Sequence, residues 1–170
     1  AEAMLSHLAN KNEMPVVPWP MSVELCDLVL RQVPPVETEG EAHEPLRTQA
    51  RMAVLRLLER GLEQDNELPI QQRPQVRAML MVLANDPDHN PNEVTDDLLT
   101  LSLNRVRPQA VALLIRYGMQ EAYDRQHTVA SNAGDDSHNI KLDDELRELL
   151  AQKLDVEQEP SWAVRSVFGQ

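Results

Sequence analysis

Five oxygen-bearing side chains recur at regular positions in one polar stretch of the chain, DPDHNPNEVTDD. Counted from the first aspartate, positions 1, 3, 5, 7 and 12 are Asp86, Asp88, Asn90, Asn92 and Asp97. Calcium in proteins takes roughly six to eight oxygen ligands, and alternate residues of one loop can supply most of them. The pattern therefore makes calcium binding one candidate chemistry of this chain.

The same stretch resembles the calcium loop of an EF-hand, and predicted helices flank it. Pro91 departs from that pattern because it stands where the family's loop turns sharply at a glycine, and Asp97 replaces a longer glutamate. We favour an Asx–Pro turn followed by a helix N-terminus, where Glu93, Asp96 and Asp97 interact favourably with the helix dipole. A calcium-responsive domain is retained as an alternative.

Other reactive side chains are present, but no motif connects them. Cys26 could act as a nucleophile with one of the five histidines as base, yet it lies in a predicted helix where a small buried thiol is commoner. Clustered carboxylates at 37–44 and 143–145 are interpreted as solvated surface charge. The five glycines form no phosphate-binding loop. We therefore predict no cofactor, no resident metal and no identifiable catalytic residue.

The two tryptophans are the strongest candidates for contact with a partner, because tryptophan is enriched at binding hot spots. Trp19 stands between two prolines, and Trp162 belongs to an apolar C-terminal stretch with Phe168. The competing interpretation is that each tryptophan packs a terminal segment onto the core. The predicted partner-binding residues come from these segments and from the polar turn: Trp19, Asn92, Glu93, Thr95, Asp96, Trp162 and Phe168.

Net charge limits the partners that such a surface can bind. The chain has 28 acidic and 16 basic residues, a formal charge of -12 and a pI of about 4.8. That field repels a phosphate backbone, and no basic stripe with interleaved aromatic residues offsets it, so we predict no binding to nucleic acid. A protein with a basic surface is the favoured partner, and a homo-oligomer is compatible with the sequence.

Neither a membrane span nor a signal peptide is predicted. The longest unbroken apolar run, Ala110 to Ile115, is far shorter than a bilayer requires. A single cysteine excludes a disulfide framework within the chain. These features predict a soluble cytoplasmic or otherwise intracellular protein. Because the sequence begins with Ala1, we also expect a fragment of a longer protein.

Hydrophobic periodicity predicts helices along most of the chain. Hydrophobic residues make up 42% and aromatic residues only 3%, so an aliphatic core is expected. Prolines at 15, 18 and 20 predict an extended path past Trp19, and Ser22 is the expected N-cap of the first clear helix. Gly61 is the expected C-cap glycine of the second, and Asp143 is expected to pair with Arg147. The predicted helices span 22–33, 46–60, 74–84, 93–106, 108–126, 140–154 and a short stretch after Ser161.

Three segments share a helical pattern that begins with an arginine. They start at Arg47, Arg73 and Arg107, and the unequal intervals do not define a regular array. The stretch 97–119 resembles the helix pair of an ankyrin repeat, although Val106 stands where that family has a glycine. The residues that match are Leu99, Ser102, Val111, Leu113, Leu114 and a terminal Gly118. The resemblance implies stacked helices that bind a protein, and no catalysis.

We predict an all-α protein, either an irregular helical bundle or a short α-solenoid of five to seven helices. A helical core domain is expected over 1–128, a flexible polar linker over 129–139, and a helical appendage packed on the core over 140–170. The favoured function is non-enzymatic: an adaptor, scaffold or regulatory domain that presents a helical surface to a protein partner. A helical enzyme, or the regulatory domain of one, with unrecognised catalytic residues is the main alternative.

Overall fold

The computed structural model describes residues 18–33, 44–63, 68–87, 104–130 and 142–169. Within these ranges the chain forms α-helices and short 3-10 helices and no β-strand, which confirms the predicted all-α class. The α-helices are α1 (Trp19–Gln32), α2 (Glu44–Gly61), α3 (Arg73–Ala84), α4 (Val106–Ala130), α5 (Asp144–Leu154) and α6 (Trp162–Ser166). Among these helices none is long and apolar enough to cross a membrane.

Helix α4 is the centre of the packing. It lies most extensively against α3 and also contacts α2, α5 and α6, while α1 packs on α2 and α3. Leu146 of α5 and Val164 of α6 belong to the same buried cluster as Leu80 of α3 and Leu114 of α4. The C-terminal helices therefore share one aliphatic core with the helices before them, which places α6 at a fixed position on the bundle.

The first helix begins earlier than the sequence predicted. Helix α1 starts at Trp19, with Pro20 in its first turn, and Ser22 is a buried helical residue instead of the N-cap. The amides of Met21 and Ser22 both donate to the Pro18 carbonyl oxygen, at 3.0 and 3.2 Å. The predicted extended path is therefore wrong at Trp19. Proline fits a first turn because the N–H it lacks would have no helical partner there.

Two glycines permit close contacts between elements. Gly61 is the last residue of α2 and has no left-handed backbone; a Cβ there would lie 2.8 Å from Cη2 of Trp19. Gly118 does not end α4, which continues to Ala130, and a Cβ there would lie 2.5 Å from Cδ2 of Leu146. Both positions need glycine because another helix or ring packs against the bare backbone, so the expected capping role of Gly61 is wrong.

The remaining predicted helices agree closely with the structure where it describes them. Helices α2, α3 and α5 start or end within a few residues of the predicted bounds, and α6 begins after Ser161, whose Oγ accepts from the Val164 amide at 3.4 Å. The predicted 93–106 helix lies largely outside the described residues. Asp143 caps α5 and pairs with Arg77 at 2.5 Å, so Arg147 pairs with Asp144 instead, at 2.8 Å.

Candidate interaction site

The short helix α6 divides its side chains between the core and the surface. Ala163 and Val164 are buried, whereas Trp162 is 53% exposed. Ser161 fixes the start of the helix through its bond to the Val164 amide. Trp162 is the first residue of α6, and its side chain is on the surface, whereas the next two side chains are in the core. The sequence order of α6 thus presents an indole at the surface.

One residue of the same helix contacts that indole. The guanidinium carbon of Arg165 lies 4.6 Å from the centre of the Trp162 ring, a cation–π distance. Arg165 also donates through Nη1 to the carbonyl oxygen of Glu159. The cation is therefore tied to the turn before α6, and the indole packs on a side chain that is itself held in place.

A buried carboxylate anchors the turn that precedes α6. Glu159 is 0% exposed and accepts hydrogen bonds from Nη2 of Arg107 and from the Ser161 amide, the latter at 3.2 Å. The Nζ of Lys153 lies 3.3 Å from the same carboxylate. Glu159 thereby joins α4, α5 and the start of α6 through charge-assisted bonds, which are stronger than neutral ones.

Lys153 is a buried cation with two partners. Its ammonium donates to Oδ1 of Asn85 at 3.0 Å and pairs with Glu159. Burial lowers the pKa of Lys153, and the positive charge of Arg107 lowers it further, while Glu159 acts in the opposite direction. Removing the Glu159 charge would leave two cations facing each other in a poorly solvated site.

The surface around α5 and α6 is acidic. Five carboxylates on α5 and the following turn are exposed, and Arg147 is the exposed base among residues 142–157: the acids are Asp144, Glu145, Glu148, Asp155 and Glu157. Three apolar side chains in this part of the chain are more than half exposed: Leu154, Val156 and Trp162. These five acids and three apolar residues are called the C-terminal patch; within it Asp144 pairs with Arg147 at 2.8 Å, and Glu145 pairs with Arg77 at 2.9 Å.

Arginines of the central helices form ion pairs with carboxylates of other elements. Arg73 of α3 pairs with Asp124 of α4, and Arg77 of α3 pairs with Asp143, the N-cap of α5. Arginine suits such positions because its guanidinium stays charged and binds carboxylates with two nitrogens.

The structure separates the residues that the sequence grouped as partner-binding. Trp19 and Phe168 are partly buried against the core, which places them in packing positions. Trp162 is the one of the three that remains more than half exposed. Asn92, Glu93, Thr95 and Asp96 lie outside the described residues, and their role in partner binding stays a prediction.

The first residue of the predicted calcium loop has a different partner. Asp86 is 6% exposed, and its two carboxylate oxygens accept from Nε and Nη2 of Arg51, the former at 2.6 Å. Arg51 also donates to the Val33 carbonyl oxygen at 2.8 Å. Burial raises the pKa of Asp86, although Arg51 offsets part of this effect. A calcium ion would have to displace Arg51 from Asp86.

The other four residues of that loop, Asp88, Asn90, Asn92 and Asp97, lie outside the described residues. Within the described ranges, no three histidine, cysteine, aspartate or glutamate side chains are grouped as a metal site would require. The calcium alternative therefore remains a prediction that depends on breaking the Arg51–Asp86 pair.

Cys26 is enclosed by the core. It is 0% exposed, and burial raises the pKa of its thiol to about 12. A nucleophilic cysteine needs an accessible thiolate, which this position disfavours strongly. The thiol packs as a small apolar side chain on the inner face of α1.

Sequence reasoning missed both the buried network and an exposed face of α4. Arg107 and Glu159 are 52 residues apart and belong to no motif, so no local signal could have joined them. On α4, Ala112, Ile115, Met119 and Tyr123 line a shallow surface groove with Arg116 and Gln120. The helical spacing of these four residues is present in the sequence, but the same spacing is typical of a buried helix face.

No protein-family model, no curated protein and no solved structure matches the chain. The similarity of 97–119 to an ankyrin helix pair therefore stays a prediction. Among the described residues, Trp162 is the tryptophan that is more than half exposed, and it lies beside the charged side chain of Arg165.

Proposed function

We propose that this protein is a non-enzymatic interaction module, an adaptor, scaffold or regulatory domain, that binds a partner protein through the C-terminal patch. The observation that supports this most is the exposure of Trp162 on a helix whose next two residues, Ala163 and Val164, are buried in the core. A large amphipathic ring held at a surface is typical of binding hot spots. Immobilising the Trp162 side chain on binding should cost little conformational entropy, because the hydrogen bonds of Ser161, Arg165 and Glu159 already hold the backbone around it.

The partner that fits this patch has apolar side chains flanked by lysine or arginine. The exposed carboxylates of α5 and the following turn, such as Glu148, Asp155 and Glu157, would attract such a surface. Leu154 and Val156 would extend the apolar contact beyond the indole. The overall charge of -12 would speed the encounter and would make it sensitive to salt.

Binding can be tested with a synthetic amphipathic helical peptide that has leucines on one face and lysines and arginines on the other. In a Trp19→Phe background, Trp162 is the single indole and reports binding by fluorescence. We expect a saturable shift with the basic peptide, and none with a matched peptide in which glutamates replace the basic residues. We expect Trp162→Ala, followed by calorimetry, to weaken binding at least about tenfold, as loss of a hot spot does.

Two matched variants separate this surface from general attraction to an acidic protein. Leu28→Ala removes another side chain that is about half exposed, on α1, and Glu24→Gln removes an exposed acid there. Both should leave the affinity within about twofold of the parent, whereas Glu157→Gln should weaken it more than Glu24→Gln does. Equal losses for Trp162→Ala and Leu28→Ala would show non-specific binding and would refute the proposal.

A further inference from the structure

The guanidinium that covers Trp162 has no carboxylate partner among the described residues. Arg165 lies over the ring at 4.6 Å and donates through Nη1 to a neutral acceptor, the Glu159 carbonyl oxygen. The arginines of α3 differ from it, because Arg73 and Arg77 each pair with a carboxylate of another element. Arg165 therefore keeps an unneutralised positive charge at one face of an exposed indole.

That charge limits what can stack on the other face of the ring. A second cation placed there at the same distance would lie roughly 9 Å from the Arg165 guanidinium, which is comparable to the Debye length at physiological salt. The first cation also already engages the negative quadrupole of the ring. A lysine or arginine of a partner is therefore disfavoured on the open face of Trp162.

A negative group is disfavoured at the same place for a different reason. The C-terminal patch contains five exposed carboxylates, and arginines pair with two of them, so the patch repels a further acid. A neutral apolar side chain avoids both repulsions. Burying such a side chain against the indole also contributes more than an exposed cation–π contact does. Of the three classes of side chain, the apolar class fits the ring best.

We infer that Arg165 is a positioning and specificity-determining residue of the C-terminal patch, which holds the Trp162 ring and makes it accept an apolar side chain of the partner instead of a cation. This inference rests on the proposed function and deepens it, because it assigns the partner's apolar side chain to Trp162 and its basic side chains to the carboxylates. The guanidinium can hold the ring because its acceptor belongs to Glu159, whose side chain is fully buried.

The positioning role can be measured in the free protein. In the Trp19→Phe background, time-resolved fluorescence anisotropy reports how freely the Trp162 ring moves. Arg165→Met keeps a long side chain but removes the cation, and the sub-nanosecond loss of anisotropy should grow at least about twofold, as for an unrestrained surface side chain. Arg165→Lys keeps a cation and should recover part of the restraint. Arg147→Met removes an exposed positive charge from α5 and should leave the anisotropy unchanged.

The selectivity can be measured by calorimetry with the basic amphipathic peptide and two sets of its variants, in which each leucine in turn becomes arginine or glutamate. At one position, arginine should weaken binding to the parent protein at least about tenfold, as loss of a hot-spot contact does. Arg165→Met should reduce this arginine penalty at least about threefold and leave the glutamate penalty undiminished, whereas Arg147→Met should change neither. Arg165→Gln, which keeps an amide donor, should behave as Arg165→Met does, so a folding defect of one variant does not decide the result.

The outcomes distinguish this inference from the proposed function. A parent protein that binds none of the peptides would refute partner binding and selectivity together, while the anisotropy would still decide whether Arg165 holds the ring. An arginine penalty that both Arg165 variants leave unchanged, or that Arg147→Met reduces equally, would overturn the selectivity and leave the partner proposal standing. Unchanged anisotropy in Arg165→Met would overturn the positioning role.

Discussion

Trp19 and Trp162 occupy the same position in their helices and have opposite surroundings. Each is the first helical residue of its element, α1 or α6, and each follows a proline within two residues. Trp19 lies against the bare backbone of Gly61 and joins the edge of the core, whereas Trp162 stays 53% exposed beside Arg165. The difference is decided by what faces the ring, because a glycine makes room for it and a guanidinium holds it at the surface.

Helices α1 and α6 are held on the bundle in two different ways. Helix α1 is held by apolar contacts, which include the Trp19 ring and the buried Cys26. The start of α6 is held by a buried carboxylate with cationic partners, so its indole is not needed for packing. We therefore expect Trp19 to contribute to stability and Trp162 to be available for binding.

The largest effect is expected at the anchor beneath Trp162. Glu159→Gln leaves the partly buried Arg107 and the buried Lys153 without a carboxylate, which costs about 3–5 kcal/mol by analogy with broken buried ion pairs. Urea unfolding followed by circular dichroism measures the free energy of unfolding. Glu157→Gln, two residues away and exposed, should change it by less than about 0.5 kcal/mol. A loss below about 1 kcal/mol at Glu159 would mean that apolar contacts alone hold α6.

The two tryptophans themselves give the next effect. Trp19→Ala should lower the free energy of unfolding by about 2–3 kcal/mol, because a partly buried ring is lost and a cavity remains beside Gly61. Trp162→Ala should lower it by less than about 1 kcal/mol, because the ring is mostly solvated. Thermal and urea unfolding of both variants make the comparison direct. Equal losses would contradict the division between a packing and a binding tryptophan.

A smaller effect tests whether Gly61 is what admits Trp19. Gly61→Ala should destabilise the parent by about 1–2 kcal/mol, because the added methyl meets the indole at 2.8 Å. In the Trp19→Ala background the same change should be neutral or stabilising, since alanine favours helix over glycine by about 1 kcal/mol. The change of sign is the diagnostic result in a double-mutant cycle. The same cost in both backgrounds would refute the Trp19–Gly61 contact.

The smallest effect concerns the inner face of α1. Folding raises the pKa of Cys26 from 9.0 to about 12, so between these values the unfolded chain loses the thiol proton first and stability falls as pH rises. From pH 7 to pH 9.5 this group should cost about 0.8 kcal/mol. Cys26→Ala changes the free energy of unfolding at every pH but removes this slope. Parallel pH profiles for the two proteins would show that the thiol is accessible in the folded state.

The sequence was sufficient for elements whose signals are local. Apolar periodicity located α2, α3 and α5, and the Ser161 cap of α6 was predicted because a hydroxyl before a short apolar run satisfies a free amide. The start of α1 differs from the prediction because prolines usually interrupt a helix, whereas Pro20 lies in the first turn, a position that accepts proline. The local sequence is compatible with an extended or a helical Trp19, and in the structure Trp19 is helical and packs on Gly61.

The candidate site was only half accessible to the same reasoning. Trp162 was identified by residue type, but no pattern distinguished it from Trp19, since both have similar neighbours along the chain. The Glu159 network joins Asn85, Arg107 and Lys153, which are separated by tens of residues and lack a shared motif. Burial of a charge depends on the tertiary fold, and one sequence gives no direct signal for it.

The long ion pairs also govern when the chain can complete its fold during synthesis. Arg77 of α3 pairs with Asp143, and Arg107 of α4 pairs with Glu159. Leu146 packs against the backbone of Gly118. Since a chain emerges from the ribosome N-terminus first, the central helices are made before any of these groups exist. Until residues 143–159 have left the exit tunnel, the surface of α4 around Gly118 is uncovered, and Arg77 of α3 and Arg107 of α4 lack their final counter-ions. Residues 143–159, which are translated after α3 and α4, therefore complete the packing of these helices.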